Sequence, residues 1–448
     1  MSLQRTVWNR LEAWRDNPDH RALLIDGARQ VGKTYLVREF AAARYDVFLE
    51  INFLETPSAV RVFDGDLDAD TIITNLSVYS PRPFIPGRTL IFLDEIQECP
   101  RARAAIKFLV DDGRFDYIES GSLLGISYKK VPSYPVGYEE QLTMRPLTLQ
   151  EFFQANGIQQ QILEQVGECF INRTDVPVPI HERLLKLFRY YMIVGGMPAA
   201  VSTFIATHDL RATLHIQQDI LALYRQDISK YASNKMHVRA ILDAIPSQLD
   251  KKNKRFILAD LAKTARMERY ASDFMWLADA GVTLPCYNVR EPSCPLAINE
   301  QRNLMKVFLN DVGLLSAAGL GTTQQAILEG EIGINWGSFL ENLVAQELVA
   351  HDFRPYYYDK AKIGGIDFLI QRGNEIVPIE AKSGNDFTRH AALNNLMAVE
   401  EWHLRHAIVL CGGNVSRHPD NDAITYMPWY MAMYLEQPQV RHPIVTDL

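Results

Sequence analysis

A phosphate-binding pattern near the N-terminus constrains this chain more than any other feature. Residues 27–34 read GARQVGKT, which matches G-x-x-x-x-G-K-[ST]. They follow an apolar run at 22–25 and open a helical stretch. Glycines let successive backbone N–H groups turn toward a phosphate, and the positive end of the helix dipole adds to the attraction. The pattern predicts a P-loop that binds ATP.

The residues of this loop have distinct predicted roles. Lys33 is expected to reach the β- and γ-phosphates, and the Thr34 hydroxyl is expected to bind Mg²⁺. The predicted nucleotide-binding segment consists of Gly27, Ala28, Arg29, Gln30, Val31, Gly32, Lys33, Thr34 and Tyr35.

A second strand supplies the acids that a P-loop hydrolase needs. The apolar run at 90–93 ends in Asp94 and Glu95. We expect Asp94 to bind the same Mg²⁺ and Glu95 to orient or deprotonate the attacking water. The alternative, a buried strand that ends in solvated acids, is disfavoured by the P-loop upstream.

Further polar residues are candidates for sensing or stabilising phosphate charge. Ser120 follows a strand-like run and is a candidate sensor of the γ-phosphate, whereas Ser122, two residues further on, equally suits a helix cap. Arginines 101, 103, 114 and 145 are candidates for an arginine finger, in cis or from a neighbouring subunit, and each also fits a solvated surface residue. A homo-oligomer therefore stays open.

Size and composition favour a multidomain cytoplasmic protein. The 448 residues predict about three domains, placed at 1–175, 176–320 and 321–448. Five widely spaced cysteines form neither a disulfide framework nor a C-x-x-C metal site, which fits a reducing cytoplasm. The sequence has no unbroken apolar segment for export or for spanning a membrane. A net charge of -8 gives no general attraction to nucleic acid.

The order of patterns predicts an α/β protein with three parts. Strand-like and helical runs alternate from 22 to about 160, as in a parallel sheet. Helical spacing dominates from about 180 to 250, which predicts a helical connector. Two helix-like runs and two β-like runs then follow the basic segment 251–255, and this order suggests a winged helix. From about 336 the order helix, three strands, helix, strand and a final helix predicts a compact C-terminal domain.

Carboxylates in this last part form a candidate metal-dependent site. Asp367 lies in one apolar strand, and Glu380 and Lys382 lie at the end of the next strand. Adjacent strands would bring these groups together to hold one or two divalent ions, with the lysine positioning or activating a water for phosphodiester attack. Glu341 on the preceding helix could add a carboxylate. A solvated sheet with alternating charges gives the same bare pattern.

These motifs together resemble a bacterial and archaeal family of AAA-like ATPases that carry a C-terminal domain related to PD-(D/E)xK restriction endonucleases. The resemblance rests on GARQVGKT, LIFLDEIQ, SGSLLG, RPLTLQEFF, YYMIVGGMPAAV, KVFLNDVGLL, GGIDFLI and PIEAKSG. It implies ATPase roles for Lys33, Thr34, Asp94 and Glu95. It implies nuclease-like roles for Glu341, Asp367, Glu380 and Lys382. Similar proteins often show a Gly-Arg pair where this chain has 135–138 PVGY, so a finger from that loop is in doubt.

Three functional hypotheses follow from these features. In the first, ATP hydrolysis controls a C-terminal nuclease. In the second, the C-terminal domain is a nucleotide-gated recognition surface or scaffold without cleavage. In the third, the chain is a DNA-binding regulator that contacts phosphates through its winged helix and the basic residues Lys251, Lys252, Lys254 and Arg255.

Overall fold

The computed structural model of the chain describes residues 3–121, 135–324, 336–384, 386–419 and 421–438. The chain divides into an N-terminal unit, residues 2–145 with 279–282, and a C-terminal unit, residues 146–278 with 283–448. The domain boundaries expected after residues 175 and 320 remain a prediction.

A parallel sheet forms the centre of the N-terminal unit. Its strands are β1 (Ala22–Asp26), β2 (Val47–Asn52), β3 (Thr89–Asp94), β4 (Asp116–Ser120) and β5 (Glu139–Thr143). They lie in the order β2-β3-β4-β1-β5, and every neighbouring pair is parallel. Every residue of β1 and β3 is buried, because parallel strands are covered on both faces. The predicted parallel α/β sheet is therefore confirmed.

Within residues 3–121 and 135–145, four α-helices accompany this sheet. They are α1 (Val7–Asp16), α2 (Lys33–Arg44), α3 (Ala69–Ser77) and α4 (Pro100–Asp112), with short 3-10 helices at Pro57–Phe63 and Ile96–Glu98. α3 begins after Asp68, whose carboxylate accepts the N–H of Thr71 at 2.9 Å and caps the helix. Apolar side chains from α3 and α4 pack with β2 and β3 in one buried core.

Ten α-helices lie among the described residues of the C-terminal unit. They are α5 (Leu149–Ala155), α6 (Gln160–Asn172), α7 (Val178–Val194), α8 (Pro198–Thr207), α9 (Leu210–Tyr231), α10 (Lys235–Leu249), α11 (Met267–Asp279), α12 (Val312–Gly319), α13 (Gly337–Ala350) and α14 (Ala391–Met397). The run from α7 to α10 confirms the predicted helical connector. In the part of the chain that the structure describes, no helix is long and apolar enough to cross a membrane.

A mixed sheet of eight strands forms the rest of this unit. Its strands are β6 (Thr283–Val289), β7 (Glu300–Leu309), β8 (Tyr356–Lys360), β9 (Gly364–Arg372), β10 (Glu375–Ala381), β11 (Ala407–Cys411), β12 (Ser416–His418) and β13 (Asn421–Pro428). They lie in the order β12-β13-β11-β10-β9-β8-β6-β7. Short 3-10 helices lie at Leu258–Asp260, Leu296–Asn299, Gly321–Gln324, Glu400–Trp402 and Trp429–Tyr434.

The region expected to form a winged helix differs in detail from that pattern. Its first helix-like run contains the 3-10 helix Leu258–Asp260, and its second forms α11. The two β-like runs form β6 and β7, which are hydrogen-bonded to each other and continue the sheet of the C-terminal strands through β8. The winged-helix interpretation stays a prediction.

The predicted order at the C-terminal end is confirmed from α13 through β11. Three elements differ from expectation. β12 and β13 were not predicted, and the expected final helix is the 3-10 helix Trp429–Tyr434. β12 has only three residues, which is too short for an alternating pattern to be recognised.

Helix α13 is buried on nearly every side and carries polar groups into the core. The Asn342 amide bonds both backbone groups of Leu309, at 2.8 and 3.0 Å. Gln346 donates to the Tyr191 hydroxyl at 2.7 Å, and Glu347 accepts the N–H of Leu149 at 2.8 Å. Each of these side chains satisfies a buried polar group of another element, so α13 fixes several segments at once.

The turn GGMP between α7 and α8 packs directly against backbone. The Leu147 N–H donates to the Gly196 carbonyl at 2.7 Å, and the Gly196 N–H donates to the buried carboxylate of Asp311 at 2.5 Å. A Cβ at Gly196 would lie 2.1 Å from the Leu147 carbonyl oxygen. Pro198 then starts α8, as the sequence pattern predicted.

We predict that Gly196→Ala destabilises the protein by about 1–3 kcal/mol, because the added methyl group must displace backbone. Differential scanning calorimetry should show the loss as a lower Tm. Gly384→Ala is the matched control, since a Cβ there meets nothing within 4 Å, and its effect should stay within about 0.5 kcal/mol. Equal Tm values for the two variants would contradict the close approach at Gly196.

Candidate active sites

Polar residues converge where the parallel strands of the N-terminal unit end. Asn52, Asp94 and Ser120 are the last residues of β2, β3 and β4. Carboxyl ends of parallel strands meet at one edge of a sheet, which is where α/β proteins bind ligands. The P-loop follows β1 at the same edge.

The carboxylate of Asp94 is the centre of this site. One oxygen accepts the Thr34 hydroxyl and the Asn52 amide, each at 3.0 Å. The other accepts the Ser120 hydroxyl and the N–H of Glu95. Asp94 is only 3% exposed, and these four donors hold its charge in place. The structure therefore brings together Thr34, Asp94 and Ser120, three of the candidate site residues, and adds Asn52.

The loop backbone is shaped by one glycine in particular. Gly27 has φ +135°, and a Cβ there would lie 2.1 Å from the Met144 carbonyl oxygen. The Met144 N–H in turn donates to the Asp26 carbonyl at 2.8 Å, which extends the pairing of β1 with β5. Only glycine fits this first position of the loop.

Lys33 lies over the backbone of its own loop. Its ammonium donates to the carbonyls of Gly27 and Ala28, both at 3.0 Å. Burial lowers the pKa of Lys33, while the nearby charges of Glu95 and Asp94 oppose that shift. The ammonium is thus held at the mouth of the loop by weak neutral acceptors.

Glu95 adopts a backbone conformation that is unusual for its residue type. It has φ +55°, in the left-handed region, and precedes the 3-10 helix Ile96–Glu98. The Gln97 amide donates to its carboxylate. Such conformations cluster at functional sites, where the surrounding structure holds a side chain in a required direction.

The remaining loop residues differ in exposure. Ala28 and Val31 are buried, whereas Gln30 and Tyr35 are exposed, Tyr35 by 53%. The guanidinium of Arg5 donates to the Val31 carbonyl at 3.2 Å and to the Arg145 carbonyl at 2.6 Å. Arg5, in the N-terminal segment, therefore stabilises the loop through these hydrogen bonds. No sequence pattern predicts this contact.

Intramolecular bonds account for the arginine-finger candidates Arg101, Arg103 and Arg114. Arg101 donates to the carbonyls of Phe63 and Gly65, at 2.7 and 2.5 Å. Arg103 pairs with Glu139 at 2.8 Å, and Arg114 pairs with Asp112 at 2.7 Å. These contacts explain the three residues without a nucleotide. The assignment of a finger stays a prediction.

A second group of charged residues lies in the C-terminal unit. We call it the acid–lysine cluster; its members are Glu341, Asp367, Glu380, Lys254, Lys306 and Lys382. The four residues predicted from the sequence are Glu341, Asp367, Glu380 and Lys382. All four lie in the cluster, and Lys254 and Lys306 were not predicted as members.

Lys306 is the most enclosed lysine of the cluster. Its ammonium lies 3.0 Å from Glu341 Oε2, 3.3 Å from the Asp367 carbonyl oxygen and 3.8 Å from Asp367 Oδ1. It also lies over the rings of Tyr357 and Phe368, 5.2 and 5.7 Å from their centroids. Carboxylates and aromatic faces both stabilise an ammonium.

Lys254 belongs to the basic segment 251–255 and pairs with Glu341. In the same segment, Lys251 pairs with Asp260. Two of the four residues expected to contact DNA phosphates are therefore neutralised within the chain.

The pKa values of two carboxyl groups in the cluster are shifted in opposite directions. Burial raises the pKa of Glu380 to about 8, with the negative charge of Asp367 adding to the shift. Burial also disfavours ionised Asp367, but the charges of Lys306 and Lys254 outweigh it and lower the pKa of Asp367. Asp367 Oδ2 accepts the Ala381 N–H at 2.9 Å, and the Lys382 ammonium lies 3.1 Å from Glu380 Oε2.

Mg²⁺ ligands were predicted at both sites, and the two sites differ in how well they fit one. At the P-loop, the Thr34 hydroxyl and the Asp94 carboxylate meet as oxygen donors of the kind that Mg²⁺ prefers. In the acid–lysine cluster, lysines contact both oxygens of Glu341. Among the residues that the structure describes, no group of three or more His, Cys, Asp or Glu side chains is arranged to hold a metal ion.

Three family models match successive parts of the chain. Residues 19–153 match an AAA domain, residues 185–326 match a domain of unknown function (DUF8612), and residues 336–431 match another domain of unknown function (DUF4143). A search of curated proteins finds no match. The chain thus carries an AAA-type P-loop ATPase domain, and its C-terminal match does not show a relationship to nucleases.

Three microbial proteins are among the solved structures that the chain matches. A Walker-type ATPase of Pyrococcus abyssi is 14% identical, with a TM-score of 0.43, over 71% of this chain and 96% of that one. The Aeropyrum pernix ORC1 protein in complex with DNA is 13% identical, with a TM-score of 0.27, over 74% and 94%. A RuvB of Thermotoga maritima is 16% identical, with a TM-score of 0.29, over 62% and 88%. Likenesses this remote carry no argument about function.

We predict a pH effect from Glu380. Its folded-state pKa of about 8 is above the ordinary value of 4.5, so folding favours the protonated carboxyl. The contribution of Glu380 to the free energy of unfolding is fully present below about pH 4.5. It should fall as the pH rises toward 8, by at most about 1.4 kcal/mol per pH unit. Glu380→Gln cannot ionise and should show a flatter profile of unfolding free energy against pH.

Urea denaturation between pH 5 and 8 provides this comparison. Glu401→Gln, an exposed position in the same unit, is the control and should follow the wild-type profile. Parallel profiles for wild type and Glu380→Gln would show that Glu380 is already ionised in this range.

Proposed function

We propose that the chain binds ATP with Mg²⁺ at the P-loop and hydrolyses it, with Glu95 directing the water. The observation that carries this proposal is the meeting of Thr34, Asp94 and Glu95 at the end of β3, next to the loop. A nucleotide binder without hydrolysis has no need of an acid beside the metal-binding carboxylate.

The loop residues suit the binding of a triphosphate. Backbone N–H groups of 27–34 would surround the phosphates. The Lys33 ammonium, which donates to the carbonyls of Gly27 and Ala28, would exchange them for charged phosphate oxygens, a stronger hydrogen-bonding partner. Thr34 and Asp94 would hold Mg²⁺, which supplies positive charge to the β- and γ-phosphates when bound.

Glu95 is proposed to act on the attacking water. Its carboxylate would accept a proton from the water as the water oxygen bonds to the γ-phosphorus, while the bond from that phosphorus to the β–γ bridging oxygen breaks and ADP leaves. The Gln97 amide bonds to this carboxylate and would position it. Ser120 bonds to Asp94 and would respond to a change in the position of that carboxylate when nucleotide binds.

We predict that Glu95→Gln lowers ATP turnover by about 10²–10⁴-fold, because the amide cannot take the proton. Binding should persist, since the loop and Asp94 are unchanged. Phosphate release gives the first quantity, and titration with a fluorescent ATP analogue gives the second.

Glu55→Gln is the control for this experiment. Glu55 is an exposed acid shortly after β2, and its substitution by Gln removes the same charge as Glu95→Gln does. Its turnover should equal that of wild type. Unchanged turnover in Glu95→Gln would remove Glu95 from the proposed role.

A second proposal concerns the C-terminal unit: the nucleotide state controls it, either as a nuclease or as a recognition surface without cleavage. The convergence of Glu341, Asp367, Glu380 and Lys382 supports a PD-(D/E)xK-like arrangement. The ion pairs of Lys254 and Lys306 with Glu341 favour the version without cleavage. Nucleic acid remains the proposed partner of this surface.

We predict that wild type and Asp367→Ala leave identical patterns on linear and supercoiled DNA incubated with Mg²⁺ or Mn²⁺. The reason is that lysines already contact the carboxylates a metal-dependent nuclease would use. Gel electrophoresis with ATP and without it is the measurement. Cleavage by wild type that is lost in Asp367→Ala would support the nuclease version instead.

Two broader proposals remain from the sequence. A cytoplasmic location is supported by five cysteines, all of them free. A homo-oligomer would let a neighbouring subunit supply the arginine finger. Size-exclusion chromatography with light scattering, in the presence and absence of ATP, tests the second.

A further inference from the structure

The acid–lysine cluster has as many lysines as carboxyl groups. It contains three carboxyl groups, Glu341, Asp367 and Glu380, and three ammonium groups, Lys254, Lys306 and Lys382. Glu341 and Glu380 are 2% and 3% exposed, and Lys306 is 5% exposed. Buried charges of this kind are tolerated only when they are paired.

Each carboxylate oxygen of Glu341 and Asp367 that a divalent ion would need lies near a lysine or a backbone N–H group. Glu341 Oε1 contacts Lys254, and Glu341 Oε2 contacts Lys306 at 3.0 Å. Asp367 Oδ2 accepts the Ala381 N–H, and Asp367 Oδ1 lies 3.8 Å from Lys306. The Lys306 ammonium therefore lies between the two acids that a shared ion would bridge.

The environment of Lys306 suits an ammonium rather than a metal ion. The rings of Tyr357 and Phe368 face it, and aromatic faces attract ammonium groups. A small divalent cation instead requires a shell of oxygen ligands. A divalent ion placed beside Lys306 and Lys254 would also meet their repulsion at short distance.

We propose that the ammonium of Lys306 takes the place of a divalent cation between Glu341 and Asp367, with Lys254 on the other oxygen of Glu341, so that this cluster does not take up Mg²⁺ or Mn²⁺. This inference rests on the proposed PD-(D/E)xK-like arrangement of the C-terminal unit. It gives a role to Lys254 and Lys306, the two lysines that such an arrangement does not require.

Mn²⁺ binding to the nucleotide-free full chain, followed by electron paramagnetic resonance, tests the inference. Wild type and Asp367→Asn should bind equal amounts of Mn²⁺, because any ion near the P-loop is common to both. Lys306→Met should gain an equivalent of bound Mn²⁺, and adding Asp367→Asn to that variant should remove it. Lys306→Arg keeps the positive charge and should show no gain.

Thermal unfolding provides a second readout. Lys306→Met should melt below wild type, because it leaves buried acids uncompensated, and Mn²⁺ should raise its Tm while leaving that of wild type unchanged. Two results would overturn the inference: more Mn²⁺ bound by wild type than by Asp367→Asn, or a folded Lys306→Met that gains none. The first comparison stands even when Lys306→Met does not fold.

Failure here is distinguishable from failure of the proposed functions. If wild type binds Mn²⁺ in the cluster but does not cleave DNA, the inference about Lys306 is wrong. The proposal of a recognition surface without cleavage is unaffected by that result. Loss of ATP turnover in Glu95→Gln bears on the P-loop alone.

Discussion

The hydrogen bonding of the buried Asp94 carboxylate is the constraint on which the N-terminal site depends. A charge that is 3% exposed at the end of a parallel strand must be compensated. Thr34, Asn52, Ser120 and the N–H of Glu95 provide that compensation. These donors come from α2 and from the ends of β2, β3 and β4. One carboxylate thereby fixes the relative positions of the phosphate loop, the proposed sensor and the proposed catalytic acid.

The acid–lysine cluster solves the same physical problem in a different way. Glu341 and Glu380 are also buried, on a core helix and near the end of a strand, but their partners are lysines rather than hydroxyl and amide groups. The difference has a chemical consequence. Hydroxyl and carboxylate oxygens around Asp94 are ligands a metal ion can share, whereas ammonium groups compete with a metal ion for the same carboxylates.

Sequence patterns predicted the parts of the structure that depend on short-range spacing. The P-loop, the acids after β3 and the strand order around Asp367 and Glu380 follow from runs of a few residues. Lys306 could not be identified in this way, because its partners are set by the register of β7 and by the packing of α13. Asn52 faces Asp94 only because β2 pairs with β3 in that register. The strand β5 was missed because its sequence, EEQLT, has no apolar run.

The central claim is that the P-loop hydrolyses ATP with Mg²⁺ held by Thr34 and Asp94. Phosphate release from ATP by purified wild type and by Lys33→Ala, each with Mg²⁺ and with chelator, tests it most directly. Turnover should require Mg²⁺ in wild type and should be lost in Lys33→Ala. Equal turnover by both proteins, or turnover that persists in chelator, would contradict the claim.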